Sequence, residues 1–236
     1  MTKGELLIED PPPSDDESES GEMIDETTTE ISAVFRRKDV RLMVSLLVAV
    51  SFVAYFFAVN PSLWNNIFVY HPIFMAIAFM VALPELLCTV GDLHTRRVPF
   101  RDALEAHRHR AMVFKMLNVV GIVIIEWCKY SRSKVHFKSW HGILGVVCEV
   151  SQVLEILVGF FMQCRSAGRC CCTSISRICR SLHRFLALVV VLSGLASMFL
   201  GMFTHFAVAT YGALGVRLFF AITPIVLTVW GFFSTH

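Results

Sequence analysis

Four of the nine histidines in this 236-residue chain, His71, His107, His141 and His183, each stand at the head of a long apolar stretch. An imidazole in such a place has two uses, as a metal ligand through a ring nitrogen and as a proton carrier near neutral pH. Ionisable side chains are costly in lipid, so their presence in apolar sequence points to function. No two of the four share a short ligand spacing such as H-x-x-x-H. That absence disfavours a tetrahedral zinc site, which draws closely spaced Cys and His ligands.

The stretches that must position these histidines are long enough to cross a membrane. Six apolar runs cover about residues 41–59, 66–90, 108–128, 138–163, 182–206 and 212–234, and roughly twenty apolar residues let a helix span the hydrocarbon core. None shows the alternation over about ten residues that marks a barrel strand. Hydrophobic residues make up 55% of the chain and charged residues 17%, with a mean hydropathy of +0.61. A soluble domain carries about 25% charged residues. The expected fold is therefore all-α, a polytopic membrane protein of six transmembrane helices in which helices 2 to 5 form a four-helix core around the histidines.

Charge divides the chain further. Residues 1–30 hold 11 of the 19 acidic side chains and one basic one, leaving 20 basic against 8 acidic residues after them. Residues 1–32, acidic and rich in Pro and Ser, bury too little apolar surface to offset chain entropy and are expected to form a disordered cytosolic tail. Residues 33–236 are expected to form the transmembrane domain. The start lacks the basic and apolar parts of a secretory signal. Ser14, Ser18 and Ser20 lie among acids and are candidates for phosphorylation. The basic residues sit between the apolar runs, which reads as a topology signal and not as nucleic-acid binding. With both termini in the cytosol, that side carries 14 Lys and Arg outside the spans and the opposite side 4, the asymmetry expected for that orientation.

In that orientation His71 and His141 lie near one membrane face, and His107 and His183 near the other. Steps of three and four residues trace one helix face. Below His71 the face reads Met75, Ala78, Ala82, Glu85; below His107, Ala111, Phe114, Asn118, Gly121. Below His141 it reads Gly145, Cys148, Gln152, Glu155, Gly159, and below His183 it reads Ala187, Val190, Gly194, Ser197, Gly201, His205. Small and polar residues amid Leu, Val, Ile and Phe mark faces turned into the bundle, where they allow helices or a flat macrocycle to approach closely. Axial ligation needs one imidazole from each of two facing helices, and iron ligated on both sides carries electrons and does not readily bind oxygen. The four helices are thus expected to hold two haems, with His71 paired to His141 and His107 to His183.

His109 competes with His107 for the third ligand, but two residues apart on a helix is about 200° of rotation, so only one can face the cofactor. The face under His107 is the polar one. His94, His136 and His236 are expected in loops or at the chain end, and His205 at the far end of the fifth helix, on its inner face. Glu85, Glu155 and Lys115 are buried charges that need partners, with Glu85 and Lys115 one expected pair and a haem propionate the alternative partner for Lys115. Cys164, Cys170, Cys171, Cys172 and Cys179 cluster in an arginine-rich loop placed in the reducing cytosol, where palmitoylation is a better expectation than disulfides.

These residues resemble the cytochrome b561 family, six-helix membrane proteins with two b-type haems. The resemblance rests on H-P-x-x-M at His71, Pro72 and Met75, with Glu85 fourteen positions beyond the histidine, and on His107 with Gly121. It rests also on W-H-G-x-x-G at Trp140, His141, Gly142 and Gly145, and on His183 with Gly194, Ser197, Gly201 and Met202. It covers residues 41–234 and is closest to the short, domain-only members. It implies a transmembrane oxidoreductase with two haem b, in which cytosolic ascorbate reduces the haem of His107 and His183. The electron then reaches the haem of His71 and His141 and passes to monodehydroascorbate or ferric iron. It also implies a homodimer. Arginine suits an enediolate anion as a permanently charged, multi-donor group, so Arg101, Arg108, Arg180 and Arg184 are candidate substrate contacts, with Lys134 and Lys138 on the outer side. Two rival readings are a haem-bearing membrane anchor and a six-helix transporter of metal or protons. The transporter needs histidines along one continuous path, whereas these form two clusters.

Overall fold

A computed structural model describes residues 16–96, 98–136, 138–166 and 173–234, with side chains from residue 38 onward except 164–166 and 173–176. Two units are distinguished, residues 1–39 and 40–236. Of the first, the described part is the beginning of helix α1 (Asp16–Val59), which starts within the acidic stretch. The serines at 14, 18 and 20 and the cysteines at 164 and 170–172 lie outside the described side chains.

The second unit is built from helices, and no strand occurs among the described residues. Six helical segments are long and apolar enough to span a membrane: Lys38–Val59, Ile67–Thr95, Phe100–Ser131, Trp140–Gln163, Arg177–Gly201 and Leu214–Phe233. The first ends at Asn60–Pro61, where proline cannot continue the pattern. Two short 3-10 turns follow, and the Asn66 side chain caps the start of the second by accepting from the Phe68 amide. The next span comprises α2 (Tyr70–Ile77), a π-helical turn (Ala78–Ala82) and α3 (Leu83–Thr95). The π turn lies just ahead of Pro84, whose missing N–H and bulky ring disfavour an ordinary turn there. Arg96 then takes a left-handed conformation, φ 54°, and its N–H caps α3 on the Asp92 carbonyl at 3.1 Å.

Helices α4 (Phe100–Ser131), α5 (Trp140–Ser166) and α6 (Thr173–Gly201) supply the next three spans. A short α7 (His205–Tyr211) capped by Thr204 leads into α8 (Leu214–Phe233). Helix α5 lies along α6 for most of its length, whereas α4 packs against α2 and α3, and α3 against α8. Contacts from α5 to α4 are few, so the span bundle has two internally packed groups.

Two apolar cores run through the bundle, the second of them across this division. One joins α1, α2, α7 and α8 through Phe52, Phe56, Met80, Tyr211, Phe220 and Leu227. The other, with Met75, Ala78, Phe79, Phe114, Cys148 and Val190, is where α2 and α4 meet α5 and α6. Phe79 and Phe114 stand edge to face there with ring centroids 5.4 Å apart. The Phe79 ring presses on Gly194, where a Cβ would meet its edge at 2.5 Å. The glycines on these faces therefore make room for side chains: Gly194 for Phe79, Gly121 for Met75 and Gly201 for the His141 ring.

Candidate functional site

Each member of the His71–His141 pair presents Nδ1 to a backbone carbonyl. His71 opens α2 beside Pro72, and its Nδ1 lies 2.9 Å from the Gly121 carbonyl oxygen on α4. His141, the second residue of α5, places Nδ1 2.8 Å from the Ser197 carbonyl and 3.1 Å from its Oγ on α6. A carbonyl only accepts, so Nδ1 carries the proton and Nε2 keeps its lone pair for a metal. The two rings are 6.4 Å apart between centroids and inclined at 71°.

The same arrangement recurs at the other end of the bundle. His107 lies two turns into α4, with Nδ1 3.2 Å from Thr89 Oγ1. That hydroxyl donates to the Leu86 carbonyl at 2.5 Å, leaving its oxygen to accept from the imidazole. His183, on α6, has Nδ1 3.8 Å from Glu155 Oε1, longer than a hydrogen bond. Its ring centroid is again 6.4 Å from that of His107, at 79°. In each pair one histidine comes from α2 or α4 and the other from α5 or α6, so each pair bridges the two packed groups.

These residues fit a cofactor ligated by two imidazoles. A centroid separation of 6.4 Å accommodates one metal ion between facing rings, since each metal–nitrogen bond takes about 2 Å. No hydrogen bond among the described residues involves an Nε2 of the four histidines. Two buried polar atoms, His183 Nδ1 and Asn118 Oδ1, have no hydrogen-bond partner among the described residues.

The family model described as eukaryotic cytochrome b561 matches residues 70–208, more than half the chain and all four histidines. The chain belongs to the eukaryotic cytochrome b561 family. Membership makes it an integral, multi-pass membrane protein of haem-dependent transmembrane electron transfer, with b-type haem as cofactor. No curated protein and no solved structure matches the chain.

Other residues singled out in the sequence fall in varied places. His109 is exposed, whereas His107 is partly buried. His205 does not continue the inner face of the fifth span: the helix stops at Gly201 and His205 opens α7 as an exposed residue, because Thr204 caps a new helix there. Arg101, Arg108, Arg180 and Arg184 are exposed, as are Lys134 and Lys138. An open cleft of about 370 Å³ between α3 and α4 is lined by Asp92, Leu93, Arg96, Val98, Pro99 and Phe100, and by none of those six cations.

The expected Glu85–Lys115 pair does not form. Glu85 binds Arg41, which donates from Nε at 3.2 Å and also from an Nη to the same carboxylate oxygen. Arg110 reaches the other carboxylate oxygen at 3.5 Å and donates to the Glu85 carbonyl at 3.0 Å. Lys115 instead meets Glu155 at 3.3 Å. Arg41, counted in the sequence only as an orientation marker, is wholly buried and also donates to Ser234 Oγ at 2.5 Å. Thr89, the acceptor for His107, carries no sequence signal, since a threonine in an apolar helix is ordinary. Glu149 was likewise overlooked, although its position inside the Trp140–Gln163 span is visible in the sequence.

Proposed function

We propose that the chain carries electrons across the membrane from cytosolic ascorbate to monodehydroascorbate or a ferric chelate on the opposite side. Two b haems serve it, one held by His71 and His141 and the other by His107 and His183. The observation that carries this reading is the repetition of one geometry, two imidazoles 6.4 Å apart, at both ends of the bundle. Haem held by a pair of these imidazoles would supply a one-electron ferric–ferrous couple and would not readily bind oxygen.

The chain's own residues do the rest. The carbonyls of Gly121 and Ser197 and the Thr89 hydroxyl hold three imidazoles with Nδ1 protonated and Nε2 free to ligate. Phe79, Phe114 and Val190 fill the layer between the pairs and keep water out of it. Both termini face the cytosol, in keeping with the distribution of Lys and Arg. Arg101, Arg108, Arg180 and Arg184 then surround the cytosolic end and attract an anionic donor, while Lys134 and Lys138 serve the acceptor side. The working unit is a homodimer.

Reduced-minus-oxidised spectra of the purified protein with ascorbate, beside pyridine haemochrome quantitation, test this reading. Two b haems per chain are expected, with at least one reduced promptly by ascorbate. Substituting His141 or His183 by alanine is expected to remove one haem each and leave the other. Haem reducible only by dithionite refutes ascorbate as donor, and folded protein without haem refutes the reading as a whole.

A further inference from the structure

The groups facing the four Nδ1 atoms are not alike. His71 and His141 meet carbonyl oxygens at 2.9 and 2.8 Å, and His107 meets a hydroxyl at 3.2 Å. His183 faces a carboxylate, Glu155 Oε1, at 3.8 Å. The second oxygen of that carboxylate, Oε2, lies 3.3 Å from Lys115 Nζ, and both side chains are only 12% exposed. Glu155 stands inside the Trp140–Gln163 span and Lys115 inside the Phe100–Ser131 span. The pair thus links α5 to α4, two helices that otherwise touch little.

Cohesion alone is a weak reason for two charges in this place. Taking both ions out of water is expensive, and apolar residues of similar volume hold helices together as well or better. An ion pair beside a metal ligand has an additional effect. A carboxylate near the N–H of an axial imidazole raises the basicity of the ligand and favours the more oxidised metal, and a nearby cation favours the reduced one.

We propose that Glu155 and Lys115 form a matched charge pair that sets the electron affinity of the haem held by His107 and His183, the carboxylate acting through His183 Nδ1 and the ammonium opposing it. This inference rests on the haem assignment made above. The Nδ1 atoms of His71 and His141 meet only neutral acceptors, and the charges that act on those two rings, Lys129 and Glu126, pair with each other at 2.8 Å, so Glu155 and Lys115 bias one haem and leave the other. Glu155 and Lys115 are positioning residues in this scheme. Removing either charge alone moves one haem in the direction set by the charge that remains, and removing both brings it back.

The test is a spectroelectrochemical titration of the full-length protein in lipid nanodiscs, comparing wild type with Glu155→Gln, Lys115→Gln and the double variant. At a fixed applied potential, Glu155→Gln is expected to shift one haem at least tenfold toward ferrous, and Lys115→Gln at least tenfold toward ferric. Tenfold corresponds to about 59 mV for a one-electron couple. The double variant and Glu155→Asp are expected to return within about threefold of wild type, with the second haem unmoved throughout. Electron paramagnetic resonance of the ferric protein should show only one of two low-spin signals changing. Single variants that shift the haem in the same direction, or not at all, overturn the inference. If Glu155→Gln fails to fold, the shift of Lys115→Gln toward ferric and its reversal in the double variant still decide it. Wild-type protein without haem would overturn the functional reading itself, whereas two haems indifferent to these charges overturn only this inference.

Discussion

Replacing Glu85 is expected to harm the fold more than replacing its buried partner Arg41, and the double replacement less than Glu85 alone. Arg41 is wholly buried, and its side-chain partners are Glu85, Ser234 and Cys88, of which only Glu85 is an ion. Glu85→Gln leaves that guanidinium buried without a counter-charge, and such a loss costs about 3–5 kcal/mol. Arg41→Met strands less, because Glu85 keeps Arg110 at 3.5 Å and Ser234 keeps its bond to the Gly231 carbonyl at 3.0 Å. Its cost should be about 1–3 kcal/mol, the range for a lost hydrogen-bond partner at a buried site. The double variant removes both charges, and neutral replacement of a buried pair is often near neutral. Equilibrium unfolding in mixed micelles with increasing dodecyl sulfate, run as a double-mutant cycle, measures all three. An Arg41→Met loss equal to or above that of Glu85→Gln, or strictly additive losses, would refute the placement of Glu85 as the counter-ion on which Arg41 depends.

Gly231→Ala should cost about 1–3 kcal/mol by the same assay, because its Cβ would lie 2.5 Å from the Pro84 carbonyl oxygen and 2.8 Å from its Cα, backbone that cannot step aside. Gly121→Ala meets the flexible tip of Met75 at 2.5 Å, and a loss below about 1 kcal/mol is expected. Thr89→Val removes the acceptor for His107 Nδ1, and haem affinity at that pair should fall about 10- to 100-fold, read by haem retention during dilution, with the His71–His141 haem kept. His109→Ala and His205→Ala, both at exposed residues, should leave haem content unchanged, and loss of a haem from either would reassign the ligands.

Much of the architecture was legible along the chain, because span length and hydropathy are sums over neighbouring residues. Six apolar runs correspond to six spans, although the third span begins at Phe100, well ahead of its apolar run, and the second and fifth also differ at their ends. That His107 and not His109 is the residue standing by His183 also followed from local information, since helix rotation alone separates a polar face from an apolar one. The histidine pairing was accessible for a related reason: alternate spans run in opposite directions, so helix order assigns each histidine to an end. The end of the fifth span was misjudged because a capping threonine in a run of apolar residues does not change the hydropathy sum, yet Thr204 starts a new helix and turns His205 outward.

The partners of the buried charges were decided by tertiary structure. The π turn at Ala78–Ala82 and the proline after it alter the rotation of the second span, so stepping by three and four from His71 does not give the direction of Glu85. Its carboxylate meets Arg41 and Arg110, which lie 44 residues before it and 25 after it. The acceptors that orient His71 and His141 are backbone carbonyls, which every residue carries and no residue type announces. Hydrophobic length and helical period are written locally and survive any arrangement of the helices. Ion pairing and imidazole orientation depend on separations of a few ångströms between segments far apart in the chain, and those exist only once the helices have packed.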